Sequence, residues 1–130
     1  MYATYQDYTE RFRGRAIPDE AAFNRLAVRA GAVLDRLTLG RAARYRDTGG
    51  KLALACCAVT EKFYELEESG RAAGSSAAVA AEEVGDYRVQ YRRLRAADIA
   101  AEVDALAEMY LFGTGLLARA VPVVGAEYSF

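Results

Sequence analysis

"EEVGDYRVQYRR", residues 82–93, carries a different periodicity from the chain around it. Gly85, Tyr87, Val89 and Tyr91 fall on one parity, and Asp86, Arg88, Gln90 and Arg92 on the other. That is the period of a half-buried strand. The surrounding chain is alanine-rich and carries helical spacing. The reading is therefore an extended excursion from a helical protein, and a strand leaves backbone donors and acceptors to be paired. Two partners are open: a neighbouring copy of the chain, or a private hairpin with residues 77–83.

Working outward, the helices come from apolar periodicity. Tyr5, Tyr8 and Phe12 recur at helical spacing and Gly14 ends them, which predicts a short helix over residues 4–11. Ile17-Pro18 opens the next, with Asp19 and Glu20 suited to a positive helix end. Phe23, Leu26, Ala27, Ala30, Val33, Leu34 and Leu37 line its stripe, and Gly40 stops or bends it. Asp47 or Thr48 can cap a second long helix, whose apolar face is Leu52, Ala55, Cys56, Val59, Phe63 and Leu66. Gly70 is expected to end it, and the Gly/Ser-punctuated run after it to form a loop or weak strand. The third long helix carries Ile99, Val103, Leu106 and Tyr110 and stops at Gly113. The expectation is all-α: a small bundle of three main helices plus a short N-terminal helix, with a strand or hairpin excursion and an irregular C-terminal tail. One domain covers the chain, with residues 1–113 as body and 114–130 as tail.

Composition bounds the chemistry. The chain has 130 residues, 53% of them hydrophobic, but much of that is alanine. Its core must be thin, and thin cores on long helices complete their burial against other copies. Net charge is −1, from 17 basic and 18 acidic residues, so the whole chain makes no electrostatic case for nucleic acid or an anionic membrane. There is no histidine, which removes the commonest general base and most zinc sites. Cys56 and Cys57 are adjacent on a helix, where side chains diverge by about 100°, so they are expected as small, free core residues in a reducing compartment. The N-terminus does not have the pattern of a signal peptide, and no apolar run approaches the roughly 20 residues that span a bilayer. No phosphate-binding loop, nucleotide-type glycine fingerprint or metal-ligand spacing is present. Glu61 and Glu65 lie one helical turn apart, where a solvated helix face explains them better than acid–base chemistry. No catalytic residue, cofactor or metal is expected.

The order of motifs goes further. "YATYQDYTERFRG", "AIP", "LDRLTLGR", "KLALACCAVTE", "EEVGDYRVQY" and "MYLFGTGLLARAV" follow one another along nearly the whole chain. In that order they resemble the small head–tail connector proteins of tailed bacteriophages; "VGDYRVQY" and "YLFGTGLL" are the most specific parts. The resemblance implies a non-catalytic adaptor in the virion, made in the bacterial host cytoplasm. It implies a ring of copies, commonly twelve, between the portal protein and a tail or head-closure protein. DNA would pass through the ring without sequence-specific contact, and no membrane would be involved.

Three groups of residues are the candidates for that work. Gly85, Asp86, Tyr87, Val89 and Tyr91 are expected as a subunit-interface strand. Glu61, Glu65, Glu67 and Glu68 form an expected acidic patch, and Arg88, Arg92, Arg93 and Arg95 a basic one, either pairing between subunits or facing the DNA channel. In the tail, Leu116, Leu117, Val121, Val123, Val124, Tyr128 and Phe130 are expected to dock on the portal, although Leu116 and Leu117 also suit folding back on their own bundle. The alternative function is a small helical nucleic-acid-binding module. In it Arg88, Arg92, Arg93 and Arg95, interleaved with Tyr87 and Tyr91, would hold a single strand. A small enzyme or toxin-like protein is a third class, and it would need an unusual site.

Overall fold

The computed structural model describes residues 1–117, and of 71–94 the backbone alone. In order, the chain forms a π-helical turn at Asp7–Arg11, helix α1 at Glu20–Leu37, a 3-10 turn at Arg41–Arg44 and helix α2 at Lys51–Leu111. There is no strand among the described residues.

The N-terminal turn begins with a reciprocal cap. The Thr4 amide donates to Asp7 Oδ2 (3.0 Å) and the Asp7 amide to Thr4 Oγ1 (3.1 Å), the capping-box exchange of two orphan donors. The turn is wide because the Phe12 amide reaches back to the Asp7 carbonyl at 2.9 Å. It closes as the Gly14 amide donates to the Tyr8 carbonyl at 2.8 Å. Gly14 has no room for a side chain, since a Cβ there would stand 2.2 Å from the Tyr8 ring.

Helix α1 matches its sequence signals, with a later start. Asp19, not Pro18, sets the boundary: its carboxylate accepts from the Ala22 amide at 2.8 Å. Phe23, Leu26, Ala27, Ala30, Leu34 and Leu37 are buried, and Val33 is half-buried beside them. Gly40 takes the left-handed conformation (φ 80°) and donates to the Asp35 carbonyl at 2.8 Å, which ends the helix. Asp47 then caps α2 from a distance, its two oxygens accepting from Leu52 and Ala53 at 3.0 and 2.9 Å.

Helix α2 has 61 residues of continuous helical backbone, yet it is not straight. Lys62 Nζ lies 3.2 Å from Glu102 Oε1, and Lys51 Nζ donates to the Phe112 carbonyl at 3.1 Å. Forty residues of straight helix would put Lys62 and Glu102 about 60 Å apart. The chain therefore reverses between Glu68 and Arg95, leaving two antiparallel arms. With α1 these make the three-helix bundle. Arg25 joins α1 to the first arm through Glu67 at 2.9 Å, and Arg36 joins it to the second through Asp104 at 2.6 Å.

Two boundaries differ from the sequence reading. Gly70 does not end a helix, and the strand expected at Gly85, Asp86, Tyr87, Val89 and Tyr91 is helical in its backbone. The physical reason is a shared pattern. Val84, Tyr87, Tyr91 and Leu94 also recur at helical spacing, so twelve residues satisfy both periods. The Ala, Glu and Arg residues on both sides favour helix, and a glycine inside a helix costs only about 1 kcal/mol.

The first arm is the centre of the bundle. From Ala55 to Thr60 every residue is buried, so this stretch is covered on all sides. Val103, Ala107 and Leu111 reach it from the second arm. Cys56 and Cys57 are buried and free. Thr38 and Thr60 are the buried polar side chains among the described residues, and each hydroxyl donates to a carbonyl one turn earlier, at 2.8 and 2.7 Å. The N-terminal segment seals the remaining face through Tyr8. Its ring lies against Tyr5, Phe12 and Phe23. Its hydroxyl donates to Glu61 Oε1 (2.5 Å) and accepts from the Ala16 and Ile17 amides (3.0 and 3.1 Å).

The clasp is open to two tests, one by mutation and one by pH. Tyr8→Phe keeps the ring and strands two amides and a half-buried carboxylate. It should cost about 1–3 kcal/mol in urea unfolding with helical circular dichroism unchanged; an unmoved midpoint would show that the hydroxyl does not hold the segment. The second concerns pH. Burial, then the Glu61 hydrogen bond, pushes Tyr8 from 10.0 up to about 12, and burial pushes the Cys57 thiol from 9.0 up to about 12. Both hold their protons more tightly folded than unfolded, so this contribution is complete below pH 9 and is lost as the pH rises from 9 to 12. The urea midpoint should fall across that window, and less steeply in the Tyr8→Phe, Cys57→Ala double variant. Equal slopes in the two proteins would contradict the assignment.

Candidate functional site

The acids expected as one patch are divided by the helix. Glu61 is half-buried and held by Tyr8. Glu65 is exposed on the same side of the first arm, one turn further along. Glu67 is turned about 100° from Glu68. It belongs to the α1 junction, taking Arg25 at 2.9 Å in a two-pronged contact and Arg29 at 3.8 Å. Arg29 also lies over the Phe63 ring, 4.7 Å from its centre. Glu68 is half-buried.

Of the expected basic cluster, Arg95 is described. It is exposed and pairs at 3.5 Å with Glu102, which also takes Lys62. Those two cations, Lys62 first, hold the Glu102 carboxyl below its usual range. Arg95 therefore has an acidic partner within its own chain. The side chains of Arg88, Arg92 and Arg93, and those of Asp86, Tyr87, Val89 and Tyr91, lie outside the described residues.

The tail candidates divide likewise. Leu116 is buried in the core of its own chain, and Leu117 packs half-buried beside it. A short turn places them: Gly113 and Gly115 are left-handed (φ 86° and 84°), the Thr114 hydroxyl donates to the Leu111 carbonyl at 2.7 Å, and Arg41 Nη2 donates to the Leu116 carbonyl at 2.7 Å. Leu116 thus completes the bundle rather than offering a free docking side chain. Val121, Val123, Val124, Tyr128 and Phe130 lie outside the described residues.

The sequence reading missed an apolar edge. Leu106, Met109 and Phe112 follow each other at three-residue intervals down the second arm. Met109 is 64% exposed and Phe112 79%. Beside them a cleft of about 610 Å³ opens between the arms, with Phe12, Leu106, Met109 and Tyr110 among its walls and Glu61, Glu65 and Glu102 at its rim. The three-residue spacing was the available signal. It is obscured because Leu106 and Tyr110 also fit a helical core stripe with Ile99 and Val103, whereas the second arm buries Val103, Ala107 and Leu111.

For chemistry, burial raises both thiols above the ordinary cysteine range, which keeps them protonated and poorly nucleophilic. Among the described residues no group of three or more His, Cys, Asp or Glu side chains is placed to hold a metal ion. No helix among them is long and apolar enough to cross a membrane. No protein-family model, curated protein or solved structure matches the chain.

Proposed function

We propose that this chain is a structural virion assembly protein of the head–tail connector kind. It forms a ring, twelve copies when assembled, between the portal protein and a tail or head-closure protein, with DNA passing through. The observation that carries the reading is the uncovered apolar edge. A helical body that leaves Phe112 79% and Met109 64% exposed beside a largely apolar cleft presents a face suited to another protein chain. The order of motifs along the sequence, which resembles that of the connectors, is the support for this kind of assembly. The work of such a protein is affinity and geometry, and the residues that carry it are Met109, Phe112 and the cleft, with the segment from Val121 to Phe130 reaching the portal.

Light scattering and negative-stain microscopy test the ring. The double variant Met109→Glu, Phe112→Glu should keep wild-type helical circular dichroism, because both side chains face solvent, and should lose ring assembly. Rings of normal mass from that variant would remove the edge from the interface. Deleting residues 123–130 should leave a folded protein that no longer joins portal-bearing heads; completion at the normal rate would place the portal contact elsewhere.

A further inference from the structure

One end of the bundle is strongly polarised, and neither the ring interface nor the core uses that property. The 3-10 turn and its flanks bring Arg41, Arg44, Arg46 and Lys51 together, and all four are exposed. Arg11 joins them from the N-terminal turn: its guanidinium nitrogen lies 2.9 Å from where a Cβ on Gly50 would stand. Between Leu37 and Glu61 the sequence contains one acid, Asp47. Both of its oxygens are engaged by the Leu52 and Ala53 amides, so it caps α2 and offers no partner to the cations. The stretch 111–117, which leaves the bundle at the same end, has no acid either.

The cations are not neutralised by the described residues. Arg41 donates to the Thr38 and Leu116 carbonyls and Lys51 to the Phe112 carbonyl, all uncharged acceptors. Among the described residues no carboxylate forms an ion pair with any of the five. Arg25, Arg36, Lys62 and Arg95 all do have such partners. Five like charges gathered at one end of a nearly neutral protein repel one another, and a polyanion relieves that repulsion while releasing its own counterions.

We infer that the end of the bundle bearing Arg11, Arg41, Arg44, Arg46 and Lys51 is a contact surface for the phosphate backbone of duplex DNA. Guanidinium forks match phosphate oxygens. The first amides of α2 are occupied by Asp47, so the contact is made by side chains, without base reading and without sequence preference. The choice of DNA over another polyanion rests on the connector reading, in which DNA passes through the ring. The cluster of Arg88, Arg92, Arg93 and Arg95 is not required for it.

The test is fluorescence anisotropy of a labelled short duplex with the full chain over a series of salt concentrations. Arg44→Glu, Arg46→Glu is compared with wild type and with Arg92→Glu, Arg93→Glu. Arg44 and Arg46 are exposed, and Arg44→Ala, Arg46→Ala serves as the milder pair. Wild type should bind with steep salt dependence. The base-end variants should bind about tenfold or more weakly, with the log–log salt slope shallower by about 2. The Arg92, Arg93 variant should bind like wild type. Equal binding by wild type and the base-end variants overturns the inference, as does loss confined to the Arg92, Arg93 variant. Displacement of the duplex by poly-glutamate at equal charge would make the surface a site for an acidic protein and overturn it too. Normal rings without DNA binding refute this surface and leave the connector reading standing. A monomer that binds DNA through Arg44 and Arg46 supports the surface and refutes the ring.

Discussion

The structure depends on covering the first arm of α2 from every side. Ala55, Cys56, Cys57, Ala58, Val59 and Thr60 leave essentially nothing for solvent. Because these side chains are small, neighbours approach closely, but small side chains also supply little apolar area of their own. The large buried groups therefore come from the elements around it: Phe23, Leu26 and Leu34 from α1, Leu111 from the second arm, Tyr8 and Ile17 from the N-terminal segment. An alanine-rich helix with only two neighbours would leave one face wet. The aromatic segment Tyr5, Tyr8 and Phe12 is the third neighbour, and the Tyr8 hydroxyl supplies the polar contacts that let it lie there.

Much of this was legible in the sequence, and what failed did so for identifiable reasons. The stripe of α1, the Asp47 cap and the stops at Gly40 and Gly113 are local signals, each backed by one conformational or hydrogen-bonding requirement. The expected strand failed because Tyr87 and Tyr91 sit on both a period of two and a period near 3.6, and a short run cannot separate them. Gly70 reads as a helix stop, yet a helix of this length tolerates a small propensity cost at a few positions. The helix count survived in another form: two arms of one reversing helix take the places of two separate helices.

The surfaces were less legible because they are tertiary. Glu61, Glu65, Glu67 and Glu68 are close in sequence, but rotation of the helix sends Glu67 to Arg25 and Glu61 to Tyr8, which lies 53 residues away. The cleft exists only because the arms lie side by side, and no window of sequence contains both walls. Near-neutral overall charge likewise concealed segregation. The acids of the first arm lie beyond Thr60, whereas the loop before it carries cations and the single committed carboxylate of Asp47.

That segregation also explains how weak contacts specify the bundle. Arg25–Glu67 and Arg36–Asp104 have arginines more than half exposed, so each pair is worth only about 0–1 kcal/mol. Their value lies in position. Each fixes α1 to a different arm, one near its start and one near its end, so sliding α1 by a turn along either arm breaks a two-pronged contact while the alanine-rich interface changes little. Small buried side chains interlock weakly and would tolerate several registers. The charged pairs at the margin, with the Tyr8 clasp, are what distinguish one register from its neighbours. A bundle fixed at its edges in this way keeps its acid-poor end and its apolar edge in constant relative position, which is the geometric requirement a subunit must meet if identical copies are to close a ring.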